Sequence, residues 1–394
     1  MFGIDPALNP YNPGSGLMPP LLAGRSLERE RFDTLIARVG MGNLANRGLI
    51  FSGLRGVGKT VLLNQLRKQA EQHSWLTVQF EGRREEKGDA GNQVRLADEF
   101  ERALLRSKNQ RIKKASRRLL LGVESFKVQV LGSGIEVSFS SPDQSPVRLE
   151  ISLMNLVEML IEPLKGSGKG CALFIDEMQE LEPQLLSSLL ALQHAAHQEG
   201  WPFFIIGAGL PTLPATLSAA RSYAERLFDY RVVGPLGAEA AEQALAEPAE
   251  KCGARYSGDA MTYLVTEAEG YPFFLQVFGQ QIWDIAQEKE FSLRDAEEAV
   301  YRGFEHLDQG FFPSRWDRAT EKERRYMRAM VNAGQEVMDA SDVISTLGGT
   351  YSDWSVARAS LIKKGAIYAP ERGKLAFTVP GMARFIERHE AEEL

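Results

Sequence analysis

Residues 51–62 read FSGLRGVGKTVL, and within them Gly53, Leu54, Arg55, Gly56, Val57, Gly58, Lys59 and Thr60 fill every fixed position of G-x-x-x-x-G-K-[ST]. The flanks decide whether such a match is chance. RGLIFSG before it is a short β-prone run ending in glycine. VLLNQLRKQAEQH after it places Val61, Leu62, Leu63 and Leu66 at helical spacing. Strand, glycine loop and helix is the order an anion cradle needs, because main-chain N–H groups curl around phosphates and the helix N-terminus adds partial positive charge. Residues Gly53 to Val61 are therefore the expected nucleotide contacts. Lys59 is placed to reach the β- and γ-phosphates, and the Thr60 hydroxyl to take one position on Mg²⁺.

A phosphate cradle needs a metal partner, and CALFIDEMQEL at 171–181 supplies one. Ala172 to Ile175 read as a buried parallel strand with acids at its C-terminal end, where open α/β sheets bind ligands. Asp176 is expected to hold Mg²⁺ through water and Glu177 to polarise the attacking water. The pairing favours hydrolysis over nucleotide storage. A guanine reader of the Asn/Thr-Lys-x-Asp type is missing. LGSGIE at 131–136 matches the signature of transporter ATPases poorly, and a small-molecule kinase would not need so large a C-terminal half. ATP with Mg²⁺ is the expected ligand.

The chain has 394 residues, 44% of them apolar and 25% charged, which predicts two or three soluble domains. Its net charge of -6 argues against a protein that coats nucleic acid along its whole surface. Cys171 and Cys252 form no metal-like or redox spacing, so a reduced cytoplasmic setting is expected. The N-terminus lacks the pattern of a signal peptide, and no run of 18 apolar residues predicts a membrane span.

The expected organisation is an extended arm at 1–20, an α/β core with a parallel sheet at 21–236, a helical domain at 237–310 and a C-terminal helix–hairpin domain at 311–394. Lys59 and Asp176 are 117 positions apart, which predicts an insertion at about 83–149. ERALLRSKNQRIKKASRRLLL within it carries eight Arg or Lys between Arg102 and Arg118. Two readings stand for this run, a solvated helix face and a contact with a phosphate backbone. SFKVQVLGSGIEVSFS alternates around GSG and predicts a β-hairpin with Phe126, Val128 and Val130 on one face. His194 and His197 sit three residues apart with no third ligand near in sequence, which favours an exposed helix face. TEKERRYMRAMV, DASDVISTLGG and DWSVARASLIKKGAIY predict three helices of decreasing length, the second capped by Ser341 and the third by Ser352. IYAPERGKLAFTVP predicts a hairpin with ERGK at its tip. Three helices and such a wing make a winged helix-turn-helix, whose Arg358, Lys363, Lys364, Arg372 and Lys374 are candidate DNA contacts. Winged helices also dock proteins, and an ATP-gated scaffold that binds no DNA is the competing reading. A mobile-element ATPase shares the same core.

The GR at 24–25, the loop at 53–60, LFIDE at 173–177, the helical segment and the winged helix, in this order, resemble an AAA+ ATPase. The nearer resemblance is to the origin-recognition-initiator type and the related signal-transduction (STAND) and archaeal-type ATPases. It extends over roughly residues 20–390 in architecture, while its specific motifs occupy few positions. The resemblance implies a P-loop NTPase core, a helical lid and a C-terminal winged helix. It implies that Gly24 and Arg25 sit near the adenine, that 53–60 is the Walker A loop, and that Asp176 and Glu177 are the Walker B acids. Arg226 in AERLFDY resembles an arginine finger, which implies a homo-oligomer; pairing with Glu225 or Asp229 is its alternative. Two departures stand out. Gly207-Ala208-Gly209 leaves no polar sensor at the tip of the fourth core strand, with Thr212 the nearest candidate. In GYPFFLQ, Pro272 replaces the initiators' lid arginine, as in the STAND branch, where the proline packs toward the nucleotide. Both departures imply slow turnover and a nucleotide-controlled switch.

Overall fold

The structure, a computed structural model, describes residues 4–84, 91–131 and 146–393. The chain divides into two compact units. One takes residues 25–52 and 59–232, and the other residues 1–24, 53–58 and 233–394.

The first unit runs α1 (Ser26–Gly40), β1 (Gly48–Ser52), α2 (Lys59–Gln72), β2 (Leu76–Glu81), α3 (Asn92–Arg106), α4 (Gln110–Leu131), α5 (Pro146–Ile161), β3 (Cys171–Asp176), α6 (Pro183–Gln198), β4 (Phe203–Gly209), α7 (Leu213–Ala220), α8 (Ala224–Leu227) and β5 (Phe228–Val232). All five strands are parallel, in the order β2-β3-β4-β1-β5. Burial explains the strand sequences. β1 and β4 are buried along their whole length, and β3 is buried up to Ile175, so these strands read as unbroken apolar runs. β2 lies at the edge and alternates buried with exposed positions. The core between sheet and helices joins Ile50, Leu173, Ile175 and Ile205 of the strands to Leu96, Phe100, Leu160 and Leu189 of the helices. The expected α/β core with its parallel sheet is the fold observed.

The expected hairpin around Phe126, Val128 and Val130 is corrected: all three belong to α4, and residues 132–140 lie outside the described residues. Leu119, Val123 and Phe126 are buried and Val130 packs against the same core, a stripe at helical spacing. Val128, which a strand would place beside Phe126, is 66% exposed. Packing of α4 on α3 and α5 thus overrides the β preference of a Val-rich segment.

The second unit contains α9 (Ala238–Lys251), β6 (Arg255–Tyr256), α10 (Gly258–Ala268), α11 (Pro272–Ile285), β7 (Glu290–Phe291), α12 (Leu293–Gly310), α13 (Pro313–Trp316), α14 (Glu321–Asn332), β8 (Met338–Asp339), α15 (Ala340–Leu347), α16 (Tyr351–Lys363), β9 (Ile367–Tyr368), β10 (Lys374–Phe377) and α17 (Met382–Glu393). The N-terminal arm lies on this unit. The Tyr11 hydroxyl donates to the Leu245 carbonyl at 2.5 Å, the Asn9 amide donates to the Gln280 carbonyl at 3.1 Å, and the Trp283 indole donates to the Asp5 carbonyl at 3.1 Å. Gly279 lets the Tyr11 ring approach α11, since a Cβ there would sit 2.7 Å from the ring.

In the last part of this unit, β9 and β10 pair antiparallel as the hairpin expected there, and β8 joins β10 on its other edge. The helix caps differ from expectation. α15 starts after Asp339, and Ser341 lies inside it. α16 starts after Thr350, whose side chain forms a reciprocal capping box with Asp353, and Ser352 lies inside it. The helices do not shorten along the chain either: α14, α15 and α16 have 12, 8 and 13 residues. Phe126→Ala should cost about 3 kcal/mol in urea unfolding. Val128→Ala, on the exposed face of α4, should stay within about 0.5 kcal/mol; comparable losses from both would contradict the helical stripe.

Candidate functional site

The end of β3 carries the chemistry of the first unit. Cys171 to Ile175 are buried, and Asp176 is the first residue of the strand to meet solvent. Thr60 lies in the first turn of α2, and its hydroxyl donates to Asp176 Oδ2 at 2.5 Å. The Glu177 N–H donates to Asp176 Oδ1 at 2.9 Å, so both carboxylate oxygens are engaged. Burial raises the Asp176 carboxyl above its usual value; the Thr60 hydrogen bond opposes this, Glu177 adds to it, and the Glu177 main chain and Lys59 oppose it. Lys59, directly before Thr60, is buried at 6% exposure, which for a lysine requires a polar surrounding.

Glu177 itself sits in the left-handed region, at φ 46° and ψ 44°, where a residue with a side chain is strained. Its carbonyl accepts from the Glu180 N–H at 2.8 Å. Gly82 approaches it closely: a Cβ on Gly82 would meet the Glu177 carbonyl oxygen at 2.5 Å. The Gln179 amide donates to Glu177 Oε2, and Gln179 Oε1 accepts from the Leu210 N–H at 3.1 Å. Sequence reasoning missed Gln179, because the contact depends on the fold bringing residue 179 to the end of β4. Thr212, the weak sensor candidate, precedes α7 and its carbonyl accepts from Thr216.

The glycine stretch 53–58 groups with the second unit. A Cβ on Gly53 would strike the Val233 carbonyl oxygen at 2.1 Å. Gly56 and Gly58 have φ of 84° and 89°, which their lack of a side chain permits, and a Cβ on Gly58 would point into open space. The Arg55 N–H donates to the Thr378 carbonyl at 3.1 Å. Gly56 faces Phe273, the residue after Pro272, with 3.6 Å to its Cβ. Pro272 opens α11, where its missing N–H costs nothing. Arg315, on no expected set, lies over the Phe311 ring at 4.3 Å, and burial with Arg55 and Arg318 nearby pushes its guanidinium down to about 10.

The remaining expected residues are dispersed. Gly24 has φ 64° and packs against Leu236 and Ala240, while Arg25 is buried just before α1, its guanidinium lowered by burial against the pull of Glu28. Arg226 is exposed on α8 and, among the described residues, forms no ion pair; Asp229 pairs instead with Arg31 at 3.7 Å and Arg231 at 3.2 Å. The His194 ring packs 4.6 Å from Tyr223, and no group of three metal-ligating residues occurs among the described residues. Of the five candidate DNA cations, Lys364 pairs with Glu323 at 2.6 Å and Lys374 with Asp339 at 2.8 Å. Burial pulls Glu323 up, but hydrogen bonds from Lys364, Ser360 and Thr320 hold it down at about 2. Among the described residues no helix is long and apolar enough to cross a membrane.

The donor set fits the implied ligand. A hydroxyl and a carboxylate in contact are the hard oxygen donors magnesium prefers. The open side of Gly58 and the positive φ angles suit main-chain N–H groups that turn toward an anion.

Residues 21–206 match the family model described as AAA ATPase domain. Residues 309–386 match a second model described as Domain of unknown function (DUF8462). No curated protein matches the chain. Among solved structures, the Walker-type ATPase of Pyrococcus abyssi is 14% identical with a TM-score of 0.59, covering 93% of this chain and 96% of that one. Cdc6p from Pyrobaculum aerophilum is 15% identical with a TM-score of 0.44, covering 100% of both chains. The Aeropyrum pernix Orc1 protein, solved in complex with DNA, is 15% identical with a TM-score of 0.45, covering 95% and 96%. At these identities the likeness to the Pyrococcus protein speaks for the fold.

A neutral replacement of Asp176 should show two opposed effects. A carboxyl whose value is raised on folding stabilises the fold while protonated, and that contribution is lost as pH rises through the folded value. At neutral pH the ionised Asp176 is therefore a cost. Asp176→Asn should raise the nucleotide-free melting temperature by about 2 °C while losing Mg²⁺-dependent nucleotide binding; calorimetry reads both, and a lower melting temperature would count against a burial-raised carboxyl.

Proposed function

Since residues 21–206 match the AAA ATPase domain model, we propose that the chain is an AAA+ ATPase that binds ATP with Mg²⁺ and hydrolyses it slowly, as a nucleotide-controlled regulator of the initiator/STAND kind. The single observation that carries this reading is the Thr60–Asp176 contact at 2.5 Å, which joins the end of the glycine loop to the end of β3. Main-chain N–H groups within Gly53 to Val61, apart from the Arg55 N–H that donates to Thr378, hold the triphosphate, and the Lys59 ammonium neutralises charge on it. Thr60 and Asp176 hold the Mg²⁺, which when bound screens the phosphate oxygens. Glu177 accepts a proton from the attacking water as its oxygen bonds to the terminal phosphorus and ADP departs. Slow turnover follows from Gly207-Ala208-Gly209 and Pro272, which put no ordinary sensor side chain at either position.

Two roles extend this reading to partners. Arg226, exposed and without an ion pair among the described residues, serves a neighbouring copy's nucleotide in a homo-oligomer. The C-terminal helices with the β9–β10 wing act as a winged helix that contacts DNA, and Arg358 and Arg372 supply its charge, with Lys363 beside them. Arg111, Lys113, Lys114, Arg117 and Arg118 of α4 offer a second basic face.

Lys59→Ala should abolish ATP binding in a titration with fluorescent ATP, whereas Glu177→Gln should bind normally and release no phosphate; undiminished ATP binding by Lys59→Ala would end the nucleotide reading. DNA affinity should fall steeply with salt, the logarithm of the binding constant dropping by roughly 0.9 per phosphate contacted. Salt-independent or missing binding in a fluorescence-anisotropy titration would instead favour a C-terminal domain that docks protein.

A further inference from the structure

We propose that Gln179 is a positioning residue for hydrolysis, holding the Glu177 carboxylate in its working orientation by tethering it to the end of β4. The inference rests on the ATPase reading above and adds a residue that no motif marks.

Three observations converge on it. Gln179 uses both ends of its amide: Nε2 donates to Glu177 Oε2, and Oε1 accepts from the Leu210 N–H at 3.1 Å. A donor at Oε2 restrains the plane of the carboxylate. The second observation is the space around the amide. A Cβ on Gly209 would lie 2.2 Å from Gln179 Oε1 and 2.9 Å from Leu213, so the glycine at the strand tip leaves room for the glutamine to reach Leu210. The same glycine is what deprives β4 of a polar side chain of its own. The third is the backbone beneath. Glu177 is held at φ 46°, Met178 is fully buried, and the short 3-10 turn Met178–Glu180 fixes where Gln179 leaves the chain.

Physically, a glutamate side chain has three rotatable bonds, and a general base is effective only within hydrogen-bond reach of the water it activates. With its main chain held at φ 46°, Glu177 keeps side-chain freedom, and the Gln179 amide restricts it. Because the other end of that amide is bonded to main chain at Leu210, the orientation follows the end of β4. Gln179 therefore performs from the β3 side the task for which the β4 tip has no side chain.

The variant Gln179→Met keeps length and bulk but neither donates nor accepts, and Gln179→Ala serves as a second. In the full-length protein with Mg²⁺ and ATP, kcat should fall about tenfold or more, while KM and the affinity for a fluorescent ATP analogue stay within about twofold. In the nucleotide-free protein, hydrogen exchange at the Leu210 amide should quicken in both variants while the melting temperature holds. Faster exchange at Leu210 with unchanged kcat would overturn the inference, since the tether would be gone without consequence. A joint collapse of kcat, ATP affinity and melting temperature in both variants would also overturn it, since Gln179 would then be a packing residue. The ATP reading fails separately: a folded wild-type protein that neither binds nor hydrolyses ATP removes it, and the inference with it, whereas an active wild type with an equally active Gln179→Met removes the inference alone.

Discussion

A hydroxyl donating to a carboxylate at the end of a buried strand, Thr60 to Asp176 across 2.5 Å, is the interaction on which the candidate site depends. The two residues are 116 positions apart, and only a sheet that places the first turn of α2 beside the end of β3 brings them together. Burial makes an ionised Asp176 expensive, and the Thr60 and Glu177 donors offset part of that cost. An apolar residue would suit the strand end better, and a buried acid kept at such a place marks a candidate functional residue. Parallel pairing of β1 with β4 and of β3 with β4 also sets all these strand ends on one edge of the sheet.

What was legible in the sequence was what local geometry dictates. Gly56 and Gly58 adopt positive φ, and a phosphate loop needs glycines there, so the motif could be read with no knowledge of the fold. β3 and β4 were legible because burial on both faces demands unbroken apolar runs. The β9–β10 hairpin was legible from its polar tip between two apolar arms. The capping box Thr350–Asp353 was present in the sequence as well, but the expectation settled on Ser352, two residues too late.

What could not be read depends on residues distant in sequence. The segment around Phe126 carries Val at alternate positions, and only the helical stripe through Leu119, Val123 and Phe126 against α3 and α5 decides for helix. Counting cations in the last domain overstated its charge toward a partner, because Lys364 and Lys374 are spent on Glu323 and Asp339. Gln179 is an ordinary polar residue until β4 delivers the Leu210 N–H to it.

The Leu210 end of β4 is also where the chain leaves for α7 and α8. Leu213 and Leu217 of α7 and Ala224 and Leu227 of α8 are buried in the same core, and the two helices pack on α6 and on each other. Arg221 between them is pinned by Glu150 at 2.8 Å and by the Ser187 hydroxyl at 2.7 Å. Close-packed elements move together or not at all, so the exposed Arg226 on α8 and the Leu210 N–H belong to one packed segment. The Gln179 amide joins the start of this segment, at the Leu210 N–H, to the Glu177 carboxylate.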